Sequence, residues 1–229
     1  MNTPSPPSKQ VPGVLGVVRV LHGKTVFGRR VRVLARHLAG LIPAGSHVLD
    51  VGCGDGAIDH LISQNVPGVY VEGIDVLVRP TSHIAVRPFD GLTIPCPQDS
   101  FDVVMFVDVL HHTRDPLALL REAARVAKTI LIKDHTQEGI LAGPTLRFMD
   151  WVGNAPHRVV LPYNYWTRAQ WNEALRAVGL MATRTEIQLG LYPAPASWLF
   201  DRKLHFVAKW ERIRDAGIHA SPAYSISDL

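Results

Sequence analysis

Three glycines within five residues, Gly52-Cys53-Gly54-Asp55-Gly56, form the part of the sequence that most directly suggests a ligand site. Glycine allows the backbone to turn sharply and to approach a ligand closely, and a helix after such a turn offers unpaired N–H groups. The spacing is G-x-G-x-G, one residue shorter than the G-x-G-x-x-G of dinucleotide-binding turns. The turn therefore predicts a polar cofactor and disfavours a nicotinamide-dependent oxidoreductase.

Carboxylates stand beside this turn and at the end of the next predicted strand. Asp50 stands two residues before the first glycine, where a negative charge would repel a pyrophosphate but suits a ligand that carries an ammonium group. Asp75 ends the segment Gly73-Ile74-Asp75, where a carboxylate can accept hydrogen bonds from a ribose diol. The alternative for Asp75 is an ordinary acidic residue at the start of a loop.

Histidines near predicted strand ends are the candidate general bases. His111 and His112 follow the fourth predicted strand, and His135 follows the fifth. An unperturbed imidazole titrates near physiological pH, so each could take a proton from an acceptor, and His112 and His135 are the first choices. The alternative is that the histidine pair only packs or hydrogen-bonds locally. No metal-ligand spacing occurs, so we expect no metal, although Asp134-His135 leaves some room for one.

The elements that must position these residues alternate between strand and helix. Apolar runs predict strands at 47–51, 68–74, 84–87, 102–107 and 129–133, and helical patterns predict helices at 57–65, 116–127 and 168–178. Runs at 180–189 and 203–210 predict an antiparallel C-terminal hairpin. Together they predict an α/β fold with a doubly wound, mostly parallel, Rossmann-like sheet of seven strands. Ligands in such sheets bind at the carboxyl ends of the strands.

The predicted organisation places this domain at 44–212, between a flexible Pro/Ser-rich tail at 1–12 and a C-terminal tail at 213–229. The helical spacing of apolar residues in 13–43 predicts two amphipathic helices with a break near His22-Gly23-Lys24. The basic patch Gly28-Arg29-Arg30-Val31-Arg32 predicts a solvated helix face. The N-terminal helices would form a lid or a wall of the substrate site, and their apolar face could also contact a membrane or a second subunit.

Composition narrows the class of protein. The chain has 229 residues, of which 47% are hydrophobic, so it can bury a core and is not a disordered chain. A net charge of +4 is mild and does not indicate a nucleic-acid partner. Its two cysteines do not form a disulfide scaffold. No signal peptide and no long apolar run are present, so we expect a cytoplasmic protein, monomeric or homodimeric.

Taken in order, the motifs resemble those of the class I S-adenosylmethionine-dependent methyltransferases, and especially the small-molecule group that includes the ubiquinone and menaquinone enzymes and the methyltransferase-11-like proteins. The resemblance runs from about residue 46 to 135 and continues more weakly to about 210. The matching segments share family-like order and spacing: Val48-Leu49-Asp50-Val51-Gly52-Cys53-Gly54-Asp55-Gly56, Gly73-Ile74-Asp75, Phe89-Asp90-Gly91-Leu92-Thr93-Ile94-Pro95, Ser100-Phe101-Asp102-Val103-Val104, and Val109-Leu110-His111-His112-Thr113-Arg114-Asp115-Pro116.

The resemblance implies roles for individual residues. It places the methionine part of the cofactor at the glycine turn, the ribose at Asp75 and the adenine beside the following loops. The stretch after the fourth strand would face cofactor and substrate. The implied cofactor-binding residues are Asp50, Gly52, Cys53, Gly54, Asp75, Val76, Asp90, Gly91, Val107 and Asp108, with Leu77 and Leu110 nearby.

One departure from the family pattern lies between Asp75 and the third predicted strand. The family usually has a full helix there, but only Val76–His83 are available and they include Pro80. The helix must be shortened or missing, which leaves the adenine side more open.

The segment 136–166 is the predicted substrate insertion, because a long loop inside a compact domain is usually functional. Its aromatic side chains could line an apolar pocket, and Arg147 or Arg158 could pair with an anionic group on the acceptor. The candidate substrate residues are Arg147, Trp151, His157, Tyr163 and Tyr165. The alternative is a short helix at 141–152 whose aromatics simply pack down.

These features predict methyl transfer from S-adenosylmethionine to an oxygen or carbon of a small acceptor of aromatic, lipid-like, sugar or natural-product type. The alternative is a cofactor-binding regulatory or assembly protein without methyl transfer. An RNA or protein methyltransferase is disfavoured, because Asp108-Val109-Leu110-His111 stands where an Asn-Pro-Pro-Tyr-type motif would follow the fourth strand.

Overall fold

A computed structural model describes residues 14–154 and 162–212, with the backbone alone described at 14–26 and 153–154. The strands are β1 His47–Val51, β2 Tyr70–Asp75, β3 Val86–Pro88, β4 Phe101–Val107, β5 Ala127–His135, β6 Leu180–Glu186 and β7 His205–Arg212. The helices are α1 Val14–Ala39, α2 Ala57–Asn65, α3 Pro116–Val126, α4 Ala142–Asn154, α5 Arg168–Ala177 and α6 Ser197–Phe200, with a short 3₁₀ turn at Leu110–His112.

The strands form one seven-stranded sheet in the order β3-β2-β1-β4-β5-β7-β6. The first five strands of the chain pair in parallel, and β7 inserts antiparallel between β5 and β6. The mostly parallel sheet and the antiparallel C-terminal hairpin predicted from the sequence are thus confirmed. The order reverses at β1 and β4, so the loops after these two strands diverge and leave a crevice between them.

Apolar side chains cover both faces of the sheet, which explains why its central strands are continuous apolar runs. On one face, Leu49 and Phe106 pack in a core with side chains of α3 and α5. On the other face, Val48 and Met105 pack with Leu34 of α1 and with side chains of α2. Alternation along each strand sends successive residues to opposite faces, so helices are required on both sides.

Local signals fix the ends of two helices as predicted. Asp115 accepts a hydrogen bond from the Ala118 N–H at 2.9 Å, and Pro116 occupies the first turn of α3. Thr167 caps α5, and the Gln170 side-chain oxygen accepts a hydrogen bond from the Thr167 N–H, which completes a capping box.

The prediction of two N-terminal helices was wrong, because α1 runs without interruption through Gly23. A glycine inside a helix costs only about 1 kcal/mol relative to alanine, and no proline removes a backbone hydrogen bond there. Burial of Leu34 and Leu38 against the sheet fixes the C-terminal half of this helix. Among the described residues, no helix combines the length and the apolarity needed to cross a membrane.

The segment 136–165 is not irregular throughout, because α4 occupies Ala142–Asn154. The helix considered as the alternative for this segment is therefore present. Between β2 and β3, by contrast, the expected loss of a helix is confirmed, since residues 76–85 contain only bends and irregular backbone.

Candidate active site

The glycine turn after β1 has the tight backbone that its composition predicts. Gly52 and Gly54 have φ values of 78° and 62°, in the region that side chains rarely adopt. A β-carbon built on Gly52 would lie 2.6 Å from a methyl group of Val109, which follows β4. Only glycine therefore lets the turn lie this close to the loop after β4.

Asp75 joins the glycine turn to the segment that follows β2. Its Oδ2 accepts a hydrogen bond from the Gly54 N–H and its Oδ1 accepts one from the Leu77 N–H, both at 2.8 Å. The residue is 9% exposed at the carboxyl end of β2. The structure thus places the predicted ribose-binding carboxylate directly beside the predicted methionine-binding turn.

Asp50 meets a second carboxylate that the sequence did not reveal. Asp50 is 2% exposed, and Asp59, from the first turn of α2, is fully buried. Burial and the neighbouring Asp59 carboxylate raise the pKa of Asp50 well above its ordinary value. Burial also raises the pKa of Asp59, to about 7, although its hydrogen bond to Asp50 acts in the opposite direction. The pair can lower the cost of burial by sharing a proton. An acidic residue in a first helical turn looks like a favourable dipole contact, so nothing in the sequence signalled burial.

A cavity of about 200 Å³ adjoins these groups. Phe27, Arg30, Val31 and Leu34 of α1 form one wall of this cavity. The role of this helix as a lid or a wall of the substrate site stays a prediction. Six of the predicted cofactor residues line it: Asp50, Gly52, Cys53, Gly54, Val107 and Asp108.

The remaining predicted cofactor residues lie on the other side of Asp75. A β-carbon built on Gly91 would lie 3.3 Å from a methyl group of Val76, so these two positions are adjacent. Asp90 is exposed, and its Oδ1 accepts hydrogen bonds from the N–H groups of Leu92 and Thr93. These backbone donors lower the pKa of Asp90.

Asp108 connects the cavity to a network of buried charges. Arg30 of α1 donates to its Oδ2, and Lys133 of β5 donates to its Oδ1. Burial disfavours the charged carboxylate, but the two cations outweigh burial and hold the pKa of Asp108 well below its ordinary value. The expectation that Arg30 belongs to a solvated face was wrong, because its side chain is only 26% exposed. The ion pair with Asp108, which comes from a distant part of the chain, shields the Arg30 side chain from water.

The three candidate histidines lie together beyond Asp108. The ring of His111 lies 4.0 Å from that of His112 and 4.7 Å from that of His135, measured between centroids. His135 Nε2 is 3.7 Å from Asp108 Oδ1, which places the cluster against the cavity.

The environments of these histidines differ. Burial opposes protonation of His111, but Asp134, at 2.6 Å from its Nδ1, and Asp150 raise its pKa to about 10. Burial and the charge on His111 lower the pKa of His112. Burial and Lys133 lower the pKa of His135 well below its ordinary value. At neutral pH, His111 is therefore charged, whereas His112 and His135 are neutral.

The predicted substrate residues divide into buried and exposed groups. Tyr165 is buried, stacks on His111 at 5.4 Å and donates to Asp150 Oδ2, so it supports the histidine cluster. Tyr163 is half-buried, and the guanidinium of Arg147 lies 5.6 Å from the centre of its ring. Trp151 is 56% exposed on α4. His157 and Arg158 lie outside the described residues.

Two sets of side chains in this region could hold a metal ion: His111, Asp134 and His135, and His111, His112 and Asp150. In each set the donor atoms lie within 4.8 Å of one another. Apart from the adjacent Asp134 and His135, spacing along the sequence gave no sign of these sets, because their members come from three separate elements, the 3₁₀ turn, β5 and α4. The absence of a metal stays a prediction.

Comparison with known proteins identifies the family. Residues 24–184 match the family model described as a methyltransferase domain. A 27-O-demethylrifamycin SV methyltransferase from Amycolatopsis mediterranei is 32% identical over an alignment of 110 residues, and the match covers 42% of this chain and 40% of that protein. A 2-methyl-6-phytyl-1,4-hydroquinone methyltransferase from Synechocystis is 26% identical over 69% of this chain and 54% of that protein. The chain thus spans about half or less of the length of these relatives.

Solved structures agree on the fold. An S-adenosylmethionine-dependent methyltransferase from Mesorhizobium loti superposes with a TM-score of 0.59 at 21% identity, over 77% of this chain and 96% of that chain. The family model covers most of the chain, including the glycine turn, both neighbouring carboxylates and the histidine cluster. The chain belongs to the methyltransferase-domain family of class I S-adenosylmethionine-dependent methyltransferases.

Proposed function

We propose that this protein transfers a methyl group from S-adenosylmethionine to an oxygen or carbon atom of a small-molecule acceptor, with a hydroxyl oxygen as the first choice. The observation that carries the proposal is the position of the cavity. It is bounded by the glycine turn on one side and by Asp108 on the other, and Asp108 contacts the histidine cluster.

The residues fit the cofactor. Asp50 lines the cavity, and its buried Oδ1 has no hydrogen-bond partner among the described residues, which suits the ammonium group of the methionine part. Gly52 also lines the cavity, and its positive φ together with its close packing on Val109 requires glycine at this position of the turn. Asp75 would bind the ribose hydroxyls, and Val76 with Asp90 and Gly91 would border the adenine. The cofactor would supply a methyl group activated on a sulfonium.

His112 is the proposed general base. It is half-buried and neutral, whereas His111 is charged and His135 is almost fully buried. A charged imidazole cannot accept a proton, and a buried one cannot reach an acceptor. Burial and the neighbouring charge of His111 keep His112 unprotonated at neutral pH, ready to accept the acceptor's proton.

His111 and His135 would act by positioning. Asp134 accepts from His111 and lies 3.2 Å from His135 Nδ1, so one carboxylate orients both rings. The hydrogen bond from Tyr165 holds Asp150 beside His111. Together these contacts fix the ring of His111, against which the ring of His112 packs.

Side chains near the histidine cluster would contact the acceptor. Tyr163 lies 6.2 Å from Tyr165, which stacks on His111. Arg147 beside Tyr163 and the exposed Trp151 add a cation and further aromatic surface. The two relatives reported above are named for a demethylated rifamycin and a phytyl hydroquinone, so hydroxylated aromatic acceptors are the first to test. The domain limits 44–212, the insertion 136–166, the cytoplasmic location and the monomeric or homodimeric state stay predictions.

The test is release of S-adenosylhomocysteine from S-adenosylmethionine with a panel of phenols, hydroquinones and sugar derivatives. Acceptor-dependent release with the wild-type protein and a large loss in His112→Ala support the proposal. Cofactor binding without release for any acceptor would favour the regulatory or assembly protein instead.

A further inference from the structure

Arg79 carries a charge that the site as described does not use. Among the described residues, its guanidinium makes no hydrogen bond and no ion pair. It is half-buried, yet it lies against the glycine turn, since a β-carbon built on Gly54 would be 3.6 Å from its Nη2 and 4.0 Å from its Cζ. An arginine lying against a cofactor turn without an anionic partner is poised to receive one from a ligand.

The segment 76–83 holds Arg79 in this position. At one end, the Leu77 N–H donates to Asp75 at 2.8 Å. At the other end, the His83 N–H donates to the Asp55 carbonyl at 2.8 Å. Between these two anchors, Pro80 fixes its own φ angle beside Arg79. The segment therefore crosses the mouth of the site as a short strap in place of the helix that the family usually has.

Arg79 lies at the junction of two cavities. The cavity of about 200 Å³ that contains Asp50 and a second cavity of about 450 Å³ along the strap share only Asp55 and Arg79 among their described lining residues. A ligand seated in the smaller cavity would therefore meet this guanidinium at its outer edge.

The charges lining the smaller cavity are unevenly paired. Arg30 and Asp108 neutralise each other through a direct hydrogen bond. Asp55 Oδ1 accepts from the Ala57 N–H at 3.2 Å. Among the residues that the structure describes, Asp50 Oδ1 remains a buried acceptor without a hydrogen-bond partner, and Arg79 remains a cation without an anion. An α-amino acid group carries an ammonium and a carboxylate on one carbon atom, and these suit the Asp50 oxygen and the Arg79 guanidinium respectively.

We propose that Arg79 binds the α-carboxylate of the methionine part of the cofactor, while Asp50 receives its ammonium group. The inference rests on the proposed function, because it takes S-adenosylmethionine as the ligand. A guanidinium can bind a carboxylate through two parallel hydrogen bonds, which gives geometric selectivity as well as affinity. The strap thus closes the amino-acid end of the cofactor site.

The test compares two ligands that differ only in this carboxylate, S-adenosylmethionine and its decarboxylated analogue. Affinities of the wild-type protein, Arg79→Gln and Arg79→Lys are measured by titration calorimetry. Arg121→Gln, which removes an exposed arginine of α3 away from both cavities, is the matched control. We expect Arg79→Gln to weaken S-adenosylmethionine binding about 10-fold, in line with the loss of one partly exposed charge-assisted contact.

The decarboxylated analogue shows whether Arg79 acts on the carboxylate or on another part of the ligand. The proposal requires its affinity to be the same for the wild-type protein and Arg79→Gln, with Arg79→Lys recovering part of the S-adenosylmethionine affinity. Equal weakening of both ligands would assign Arg79 to the adenosine or to the fold and overturn the proposal, as would no weakening of either. If the wild-type protein bound neither ligand, the proposed cofactor itself would fail. Unfolding midpoints of all variants show whether the fold is intact.

Discussion

Arg30 of α1 donates a hydrogen bond to Asp108 at the carboxyl end of β4, across a separation of 78 positions in the chain. Asp108 has a positive φ of 59°, an unusual conformation for a residue with a side chain. Arg30 and Lys133 hold its two carboxylate oxygens. The N-terminal helix is therefore attached by charge, as well as by apolar packing, to the strand end that faces the cofactor site.

Replacing Arg30 by glutamine should destabilise the fold. The substitution leaves the largely buried Asp108 with one cation instead of two, and we expect a loss of about 2 kcal/mol in the free energy of unfolding. Urea denaturation followed by circular dichroism measures this. The matched control is Arg32→Gln, which changes an exposed arginine two residues further along α1. Equal stability of the two variants would show that the ion pair contributes nothing.

The buried pair Asp50 and Asp59 predicts a pH dependence of stability. The unfolded chain has ordinary aspartate pKa values near about 3.9, whereas burial raises both in the folded protein, that of Asp59 to about 7. The folded state therefore holds protons that the unfolded state has released, so the stability due to this pair falls as pH rises from about 4 to 7.

Asp59→Asn should remove much of that dependence. Asparagine is neutral at every pH and can donate to Asp50, so the stability of the variant relative to the wild type should increase between pH 4.5 and pH 8. Urea denaturation at several pH values gives the difference directly. A difference that stays constant over this range would contradict a shared proton.

His112 should control both the rate and its pH dependence once an acceptor is known. His112→Ala should lower kcat about 100-fold, the lower end of the usual contribution of a general base. The wild-type rate should fall on the acid side only below the ordinary histidine pKa, because burial and His111 lower the pKa of His112. If His112→Ala turned over as fast as the wild type, His112 would not be the base. The same would follow if the rate of the variant fell at low pH in the same way as the wild-type rate.

The capping box of α5 offers a test of local structure alone. Thr167→Ala leaves the Gln170 N–H without its side-chain acceptor and should cost about 1 kcal/mol of stability. Thermal unfolding measures the loss, and Thr81→Ala, at an exposed threonine of the strap, serves as the comparison. Equal midpoints for the two variants would mean that the box does not stabilise the helix.

Features set by neighbours in sequence were predictable. The caps at Asp115 and Thr167, the glycine turn and the central strands all follow from short patterns of residue type. The uninterrupted α1 was missed because a single glycine, Gly23, looks like a break in the sequence but is tolerated in a helix. The C-terminal half of α1 is held in place by packing against the sheet, which joins residues that are far apart in the sequence.

Pairs joined across the fold were not predictable from spacing. Arg30 was predicted to lie on a solvated helix face, and nothing in the sequence marked Asp59 as a buried residue. The three histidines were each identified as candidates, but their different charge states depend on Asp134, Asp150 and Lys133, which come from other elements. Only the tertiary arrangement distinguishes the accessible neutral His112 from the charged His111.

The central claim is that Asp75 and the glycine turn bind S-adenosylmethionine, and calorimetry with Asp75 variants tests it most directly. Asp75→Asn retains the size of the side chain and one of its two carbonyl-like acceptors, and Asp75→Ala removes both. We predict measurable binding by the wild-type protein, a loss of about 10-fold or more in Asp75→Ala, and an intermediate loss in Asp75→Asn. An Asp75→Ala variant that remains folded and binds S-adenosylmethionine as tightly as the wild type would contradict the assignment of this site.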